Sequence, residues 1–176
     1  MNLNICDNIQ RLMKRCKHMN VDSEQITLDK SLVFAQDQPL SNKNLQECLI
    51  NVLGRDKCKV LNVPPRKWVL EYVDKKKVYH LLVRPCTYLG NPHPLYKKRV
   101  QLPLWFNEYT NSINKKNPNI DVRFIGVYHY GDKHHGDNIV FIDFKKDTYL
   151  AKKGHNSSAH IYTNDLFQAM TYGVFT

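Results

Sequence analysis

Two stretches of this chain combine positive charge, a restricted backbone and side chains able to read hydrogen-bonding patterns. The first, TYLGNPHPLYKKRVQLP, runs from Thr87 to Pro103. Pro92 and Pro94 limit the conformations it must give up on meeting a ligand. Lys97, Lys98 and Arg99 supply cations for phosphate, while Asn91, His93, Arg99 and Gln101 carry the donors and acceptors that distinguish base edges. Few ligands other than nucleic acid call for both sets; the plain alternative is a basic loop solvated like any other. The second stretch, KKDTYLAKKGHNSSAH, runs from Lys145 to His160. Lys152, Lys153 and Gly154 suit a phosphate-facing hairpin tip, and the short side chains of Asn156, Ser157 and Ser158 permit close backbone approach. An ordinary hairpin loop would have a similar composition.

A hydrolytic alternative exists. Asp132, then Asp143 and Lys145 on a strand, then Gln168 and Tyr172 follow the order of metal-binding acids, lysine and trailing QxxxY in PD-(D/E)XK nucleases. Asp143 and Lys145 would share one strand face, as holding Mg²⁺ and orienting the attacking water requires. The second acid is Asp where that class more often has Glu, and no acidic helix lies upstream. The plainer reading puts both residues on a solvated face, with Val140, Ile142 and Phe144 inward. His129, His134, His135, His155 and His160 lack the HExxH spacing or nearby cysteines of a zinc site, and no GxxxxGK[ST] is present. Neither a metal nor another cofactor is expected. Tyr128, Tyr130, Tyr149 and Tyr162 could stack on single-stranded bases, whereas Trp68, Trp105, Phe124, Phe141 and Phe144 read as core.

The elements that must position these stretches follow from periodicity. Ile5, Ile9, Leu12, Met13 and Cys16 recur at helical spacing, with Arg11, Lys14, Arg15 and Lys17 mostly opposite, which predicts an amphipathic helix over residues 4 to 19. A second helix starts after Ser41, a capping residue, and stops at Gly54. Beyond Pro64 and Pro65 the period changes to two: Trp68, Leu70 and Tyr72, then Val78 to Val83, form a β-hairpin across DKKK. Further strands are expected at Val122 to Tyr130, Ile139 to Phe144 and Ala159 to Tyr162, and a short helix from Thr163 or Asn164 to Met170. SINKKNPN, around residues 112 to 119, reads as a solvated connection. The expected organisation is a helical extension over residues 1 to 62 followed by a mainly β domain over 63 to 176.

The chain has 176 residues, about one domain. Lys plus Arg number 26 against 16 Asp plus Glu, a net charge of +10 that favours an anionic partner. Residues 1 to 62 hold 9 basic and 7 acidic side chains and residues 63 to 176 hold 17 and 9, so the excess lies in the β part. Cys6, Cys16, Cys48, Cys58 and Cys86 are scattered and odd in number, which fits a reducing compartment. No run approaches the roughly 20 apolar residues that span a bilayer, so a soluble, cytoplasmic protein without a membrane partner is expected. The ending AMTYGVFT, without a polar tail, suggests part of a longer polypeptide.

GNPHPLYKKRVQLP followed downstream by KKGHNSSAHIYTNDLFQA resembles the B3 DNA-binding domains of bacterial restriction enzymes, the EcoRII and BfiI groups among them. A narrower likeness is to the N-terminal recognition domain of LlaJI-type, McrB-related restriction subunits. The resemblance spans roughly residues 66 to 172 and implies a seven-stranded pseudobarrel whose two arms grip the major groove of double-stranded DNA. It assigns Tyr88, Asn91, His93, Lys97, Lys98, Arg99 and Gln101 to one arm. Lys152, Lys153, His155, Asn156, Ser157 and Ser158 fall in the other. It further implies a non-catalytic target-recognition domain of a restriction-modification system, with cleavage and any motor activity in other domains or a partner subunit.

Overall fold

A computed structural model describes residues 21–63, 65, 67–131, 138–150 and 156–173. The helix expected over residues 4 to 19 lies outside them, as do Asp132, His134, His135, Lys152, Lys153 and His155. Among the described residues the chain forms nine strands in two sheets and four α-helices. In chain order these are β1 (Ser23–Ile26), β2 (Leu32–Ala35), α1 (Asn42–Leu53), β3 (Cys58–Val63), β4 (Lys67–Asp74) and β5 (Lys77–Tyr88). There follow β6 (Lys97–Leu102), α2 (Leu104–Lys116), β7 (Ile120–His129), β8 (Ile139–Phe144), α3 (Lys146–Leu150), β9 (Ser157–Tyr162) and α4 (Thr163–Tyr172).

β5 organises the molecule. Its run VYHLLV is apolar on both faces, as a strand buried on both sides must be. Its first part pairs antiparallel with β4 and parallel with β7; its last three residues, Cys86 to Tyr88, pair with β6. β3 extends one edge beyond β4, β8 extends the other beyond β7, and β9 pairs with β6. The seven strands β3 to β9 thus form one branched sheet whose hydrogen-bonded path does not close on itself among the described residues. Where β6 crosses β7 there is room for a glycine alone: a Cβ on Gly126 would stand 2.6 Å from Val100 Cγ2 and 2.9 Å from Phe144 Cε2.

Two apolar cores result. α1 lays Leu45, Leu49 and Ile50 on Leu70, Leu81, Val83, Ile125 and Val127. On the opposite side of the sheet, Val100, Leu102 and Ala159 pack with Phe106 of α2, Leu166 of α4 and Phe124.

The hairpin expected across DKKK is β4–β5, closed by the Asp74–Lys77 pair. The helix after Ser41 forms as expected, with the serine hydroxyl accepting from the Asn44 N–H at 3.3 Å and Gly54 at φ +99° ending it. Other segments depart from expectation. Residues 21–62, read as a helical extension, contain three strands besides α1, and β3 pairs with β4 along its whole length, so a boundary at 62/63 cuts a strand. SINKK closes helix α2 instead of opening a loop, because Trp105, Phe106, Tyr109, Thr110 and Ile113 keep helical spacing through it. Phe141, expected in the core, is 36% exposed: it lies on the strand face opposite Val140 and Ile142.

Candidate nucleic-acid interface

The first basic stretch does not project as a loop throughout. Its second half is strand β6, which pairs antiparallel with β9 from the second stretch, so the two stretches meet in a two-stranded ribbon. The register sets Lys97 opposite Tyr162, Arg99 opposite His160 and Gln101 opposite Ser158. Directly opposed residues share a face and successive residues along a strand change face. These six side chains therefore line one side of the ribbon, and Thr87 of β5, opposite Arg99, extends the row. Gln101, His160 and Tyr162 are exposed; Thr87, Lys97, Arg99 and Ser158 are half-buried. The face carries two cations and no carboxylate within its strands. Thr87, His160 and Tyr162 gain their place there through pairing register, which no local motif announces.

The inward face corrects part of the expected site. Lys98 is 0% exposed and cannot meet a phosphate. Its ammonium donates to Asp37 Oδ1 at 2.9 Å and to Ser23 Oγ at 2.8 Å. The same carboxylate accepts from Gln25 Nε2 at 2.8 Å and from the Tyr88 N–H. Gln25 Oε1 in turn accepts from the Tyr128 hydroxyl at 3.1 Å. Burial pulls the Lys98 pKa down against the opposing pull of Asp37, and it pushes the neighbouring Cys86 thiol up to about 12. Ser157, 8% exposed, turns inward beside Leu102. Tyr128, once a candidate for base stacking, is 1% exposed within this network.

Tyr88 braces the arm from inside. Its side chain is buried, and its hydroxyl donates to the His93 carbonyl at 2.6 Å and lies 3.3 Å from Asn91 Oδ1. Two further bonds shape the excursion: His93 N–H to the Gly90 carbonyl at 3.0 Å and Lys97 N–H to the Pro94 carbonyl at 3.0 Å. Glu24 N–H reaches the Leu95 carbonyl and Thr163 N–H the Tyr96 carbonyl, tying the arm to β1 and α4. Asn91 and His93 remain exposed at its tip. In the other arm, Asn156 is exposed, but its Oδ1 accepts from the Leu104 N–H at 2.8 Å and so satisfies an orphan donor at the start of α2. The arms leave the ribbon at opposite ends, one before Lys97 and one before Ser157, about 17 Å apart along the strands.

Asp143 and Lys145 of the nuclease alternative sit elsewhere. Asp143 pairs with Arg123 Nη1 at 3.1 Å, and Lys145 is exposed. Beside them Asp121 receives Arg123 at 2.9 Å, Lys146 at 3.3 Å and Lys77 at 3.5 Å. Burial pushes Asp121 up, but the hydrogen bonds from Arg123 and Lys146 outweigh it and hold the carboxyl below its ordinary range. For Asp143 burial prevails and its pKa rises. His129 is buried, with Nδ1 2.7 Å from the Gln38 carbonyl oxygen. Among the described residues no three His, Cys, Asp or Glu side chains gather into a metal site, and no helix is long and apolar enough to cross a membrane.

The fold and this face define a mainly β domain that presents a short polar and basic ribbon beside a tethered arm. Residues 77–176 match Methylase-associated X1 (MTaX1), and the chain belongs to that family, a domain associated with restriction-modification systems. No curated protein and no solved structure matches the chain. The family match starts at the first residue of β5, so Ser23 and Asp37, which hold Lys98, and Gln25, which bonds both of them, come from the chain that precedes it.

Proposed function

We propose that this protein is the target-recognition module of a restriction-modification system, binding double-stranded DNA in a sequence-specific manner through the outer face of the β6–β9 ribbon. The observation that carries this reading is the cross-strand row of Lys97, Arg99 and Gln101 against Tyr162, His160 and Ser158. A major groove about 12 Å wide admits a two-stranded ribbon. Arg99 can make a bidentate contact with guanine, Gln101 a bidentate contact with adenine, and Lys97 a phosphate contact that fixes register. The exposed tip of the first arm, with Asn91 and His93, flanks the ribbon; the B3 resemblance assigns Lys152, Lys153 and His155 to a second arm, and the two arms would straddle the duplex as in B3-like domains. The domain is read as non-catalytic, with cleavage and motor activity in a nuclease subunit and motor domain of the same system. The association of its family with methylases supports that setting.

Selection of bound duplexes from a randomised pool tests the reading. Enrichment of a short defined site, with binding that unlabelled duplex competes away and homopolymeric single strands do not, is the expected result. Uniform recovery of the pool would reduce the interaction to nonspecific electrostatics.

A further inference from the structure

The ribbon is not where most of the unpaired positive charge gathers. At the other end of β5, the β4–β5 turn presents Lys75 and Lys76. Val78 of β5 lies beside Ile120 of β7. Ile120 follows the end of α2 by four residues, which brings in Lys115 and Lys116. β8 ends four residues further along β7, with Phe144 opposite Phe124, and the chain turns back so that Lys146 reaches Asp121 at 3.3 Å, which brings in its neighbour Lys145. All five lysines are exposed, and none forms an ion pair among the described residues. The Asp121 hub already satisfies Lys77, Arg123 and Lys146, and among the described residues these five cations around it form no ion pair. Solvation alone would account for one such lysine. Five drawn from three separate elements onto one pole repel one another, and the fold accepts that cost. Lys115 and Lys116 also meet the negative end of the α2 dipole; Lys75, Lys76 and Lys145 have no such role.

We propose that this lysine pole is a second DNA-contact surface, which grips the phosphate backbone of the duplex that the ribbon reads. The pole offers five ammonium groups, with the exposed amides of Asn114, Asn117 and Asn119 confined to the Lys115–Lys116 segment and not set in cross-strand rows, so its ligand is a polyanion recognised chiefly by charge. The span supports one duplex for both surfaces. Lys77 and Thr87 are ten residues apart on a single strand, about 33 Å at strand rise, close to the 34–36 Å of one turn of B-DNA. The two surfaces are thus spaced to meet one duplex about one turn apart.

The inference rests on the DNA-binding reading above, and the test separates the two. Duplexes of about one and about three turns, roughly 10 and 30 base pairs, are titrated at several salt concentrations. The proteins are the full chain and its Lys75→Gln, Lys76→Gln, Lys115→Gln, Lys116→Gln, Lys145→Gln variant, with circular dichroism melts confirming that both fold. The expected result is that the variant loses about 0.9 of log–log salt slope for each lysine that meets a phosphate, at least two such steps in all. This loss is confined to the long duplex, with binding of the short one retained. An unchanged slope on the long duplex, or an equal loss on both lengths, overturns the second surface. Absence of duplex binding by the unmodified chain would instead remove the parent reading.

Discussion

The two ends of β5 carry different kinds of positive surface. At the ribbon end, two cations stand among an amide, an imidazole, hydroxyls and a phenol, fixed in rows by strand pairing. At the far end, five exposed lysines surround a saturated carboxylate, and the exposed amides of Asn114, Asn117 and Asn119 lie on one segment without cross-strand partners to order them. Phosphate contacts position and base contacts specify. On the proposed reading, the difference teaches that charge density and base-reading groups lie apart in this molecule, about one turn of duplex from each other. Lys97 and Lys98 make the same point within two residues: one lies on the ribbon's outer face, and its neighbour is an internal strut.

That distinction can be broken most severely at Asp37. Asp37→Ala strands the Lys98 ammonium in the interior, at a cost of about 3–5 kcal/mol. Thermal melting should fall by roughly 2–4 °C for each kcal/mol lost. The double change Lys98→Met with Asp37→Leu should recover part of the stability, since the Tyr88 N–H and the Gln25 amide still lose that acceptor, and should leave the salt slope for DNA unaltered; a flattened slope there would return Lys98 to the binding face. Next in size, Asn156→Ala removes the acceptor for the Leu104 N–H and should cost about 1 kcal/mol of stability. Its selected DNA site should stay the same, whereas a blurred site would make Asn156 a base contact. Lys97→Ala sharpens the comparison: it should weaken all duplexes alike and lower the salt slope by about 0.9.

The smallest effect lies in the Asp121 hub. The pKa of Asp121 is lowered by folding, so its contribution to stability is present above the ordinary carboxylate range and disappears as pH falls through the folded value. The pKa of Asp143 is raised, so its ionisation opposes folding. At neutral pH, Asp121→Asn should lower the melting temperature and Asp143→Asn should not. The gap should close in acid, below the Asp121 pKa. Equal losses for both variants would show that the hub does not distinguish the two carboxylates.

Much of this fold was legible because apolar periodicity is local. The β4–β5 hairpin, β7, β8, β9 and α4 follow from alternation and helical spacing, and α1 from its Ser41 cap and Gly54 stop. The site was less legible, because a ribbon face is created by pairing between strands about sixty residues apart. KKR in β6 reads as three equivalent cations until alternation sends Lys98 inward, and a single lysine inside a core has no sequence signal apart from that alternation. Asp37, its partner, lies in a segment whose short strands β1 and β2 lack clear periodicity. His160 and Thr87 join Arg99 through register alone. The lysine pole was equally hidden, since DKKK, NKK and FKK are far apart in the chain and meet when β5, β7 and β8 pair.

Selection of DNA sites with the unmodified chain and with Arg99→Ala, side by side, tests the outer face of the ribbon most directly. The account predicts that the unmodified chain enriches one defined duplex site. In the variant a single base pair of that site should become degenerate, with about 1–3 kcal/mol of discrimination lost there and the remaining positions intact. An identical site from both proteins, or no enrichment from either, would contradict it.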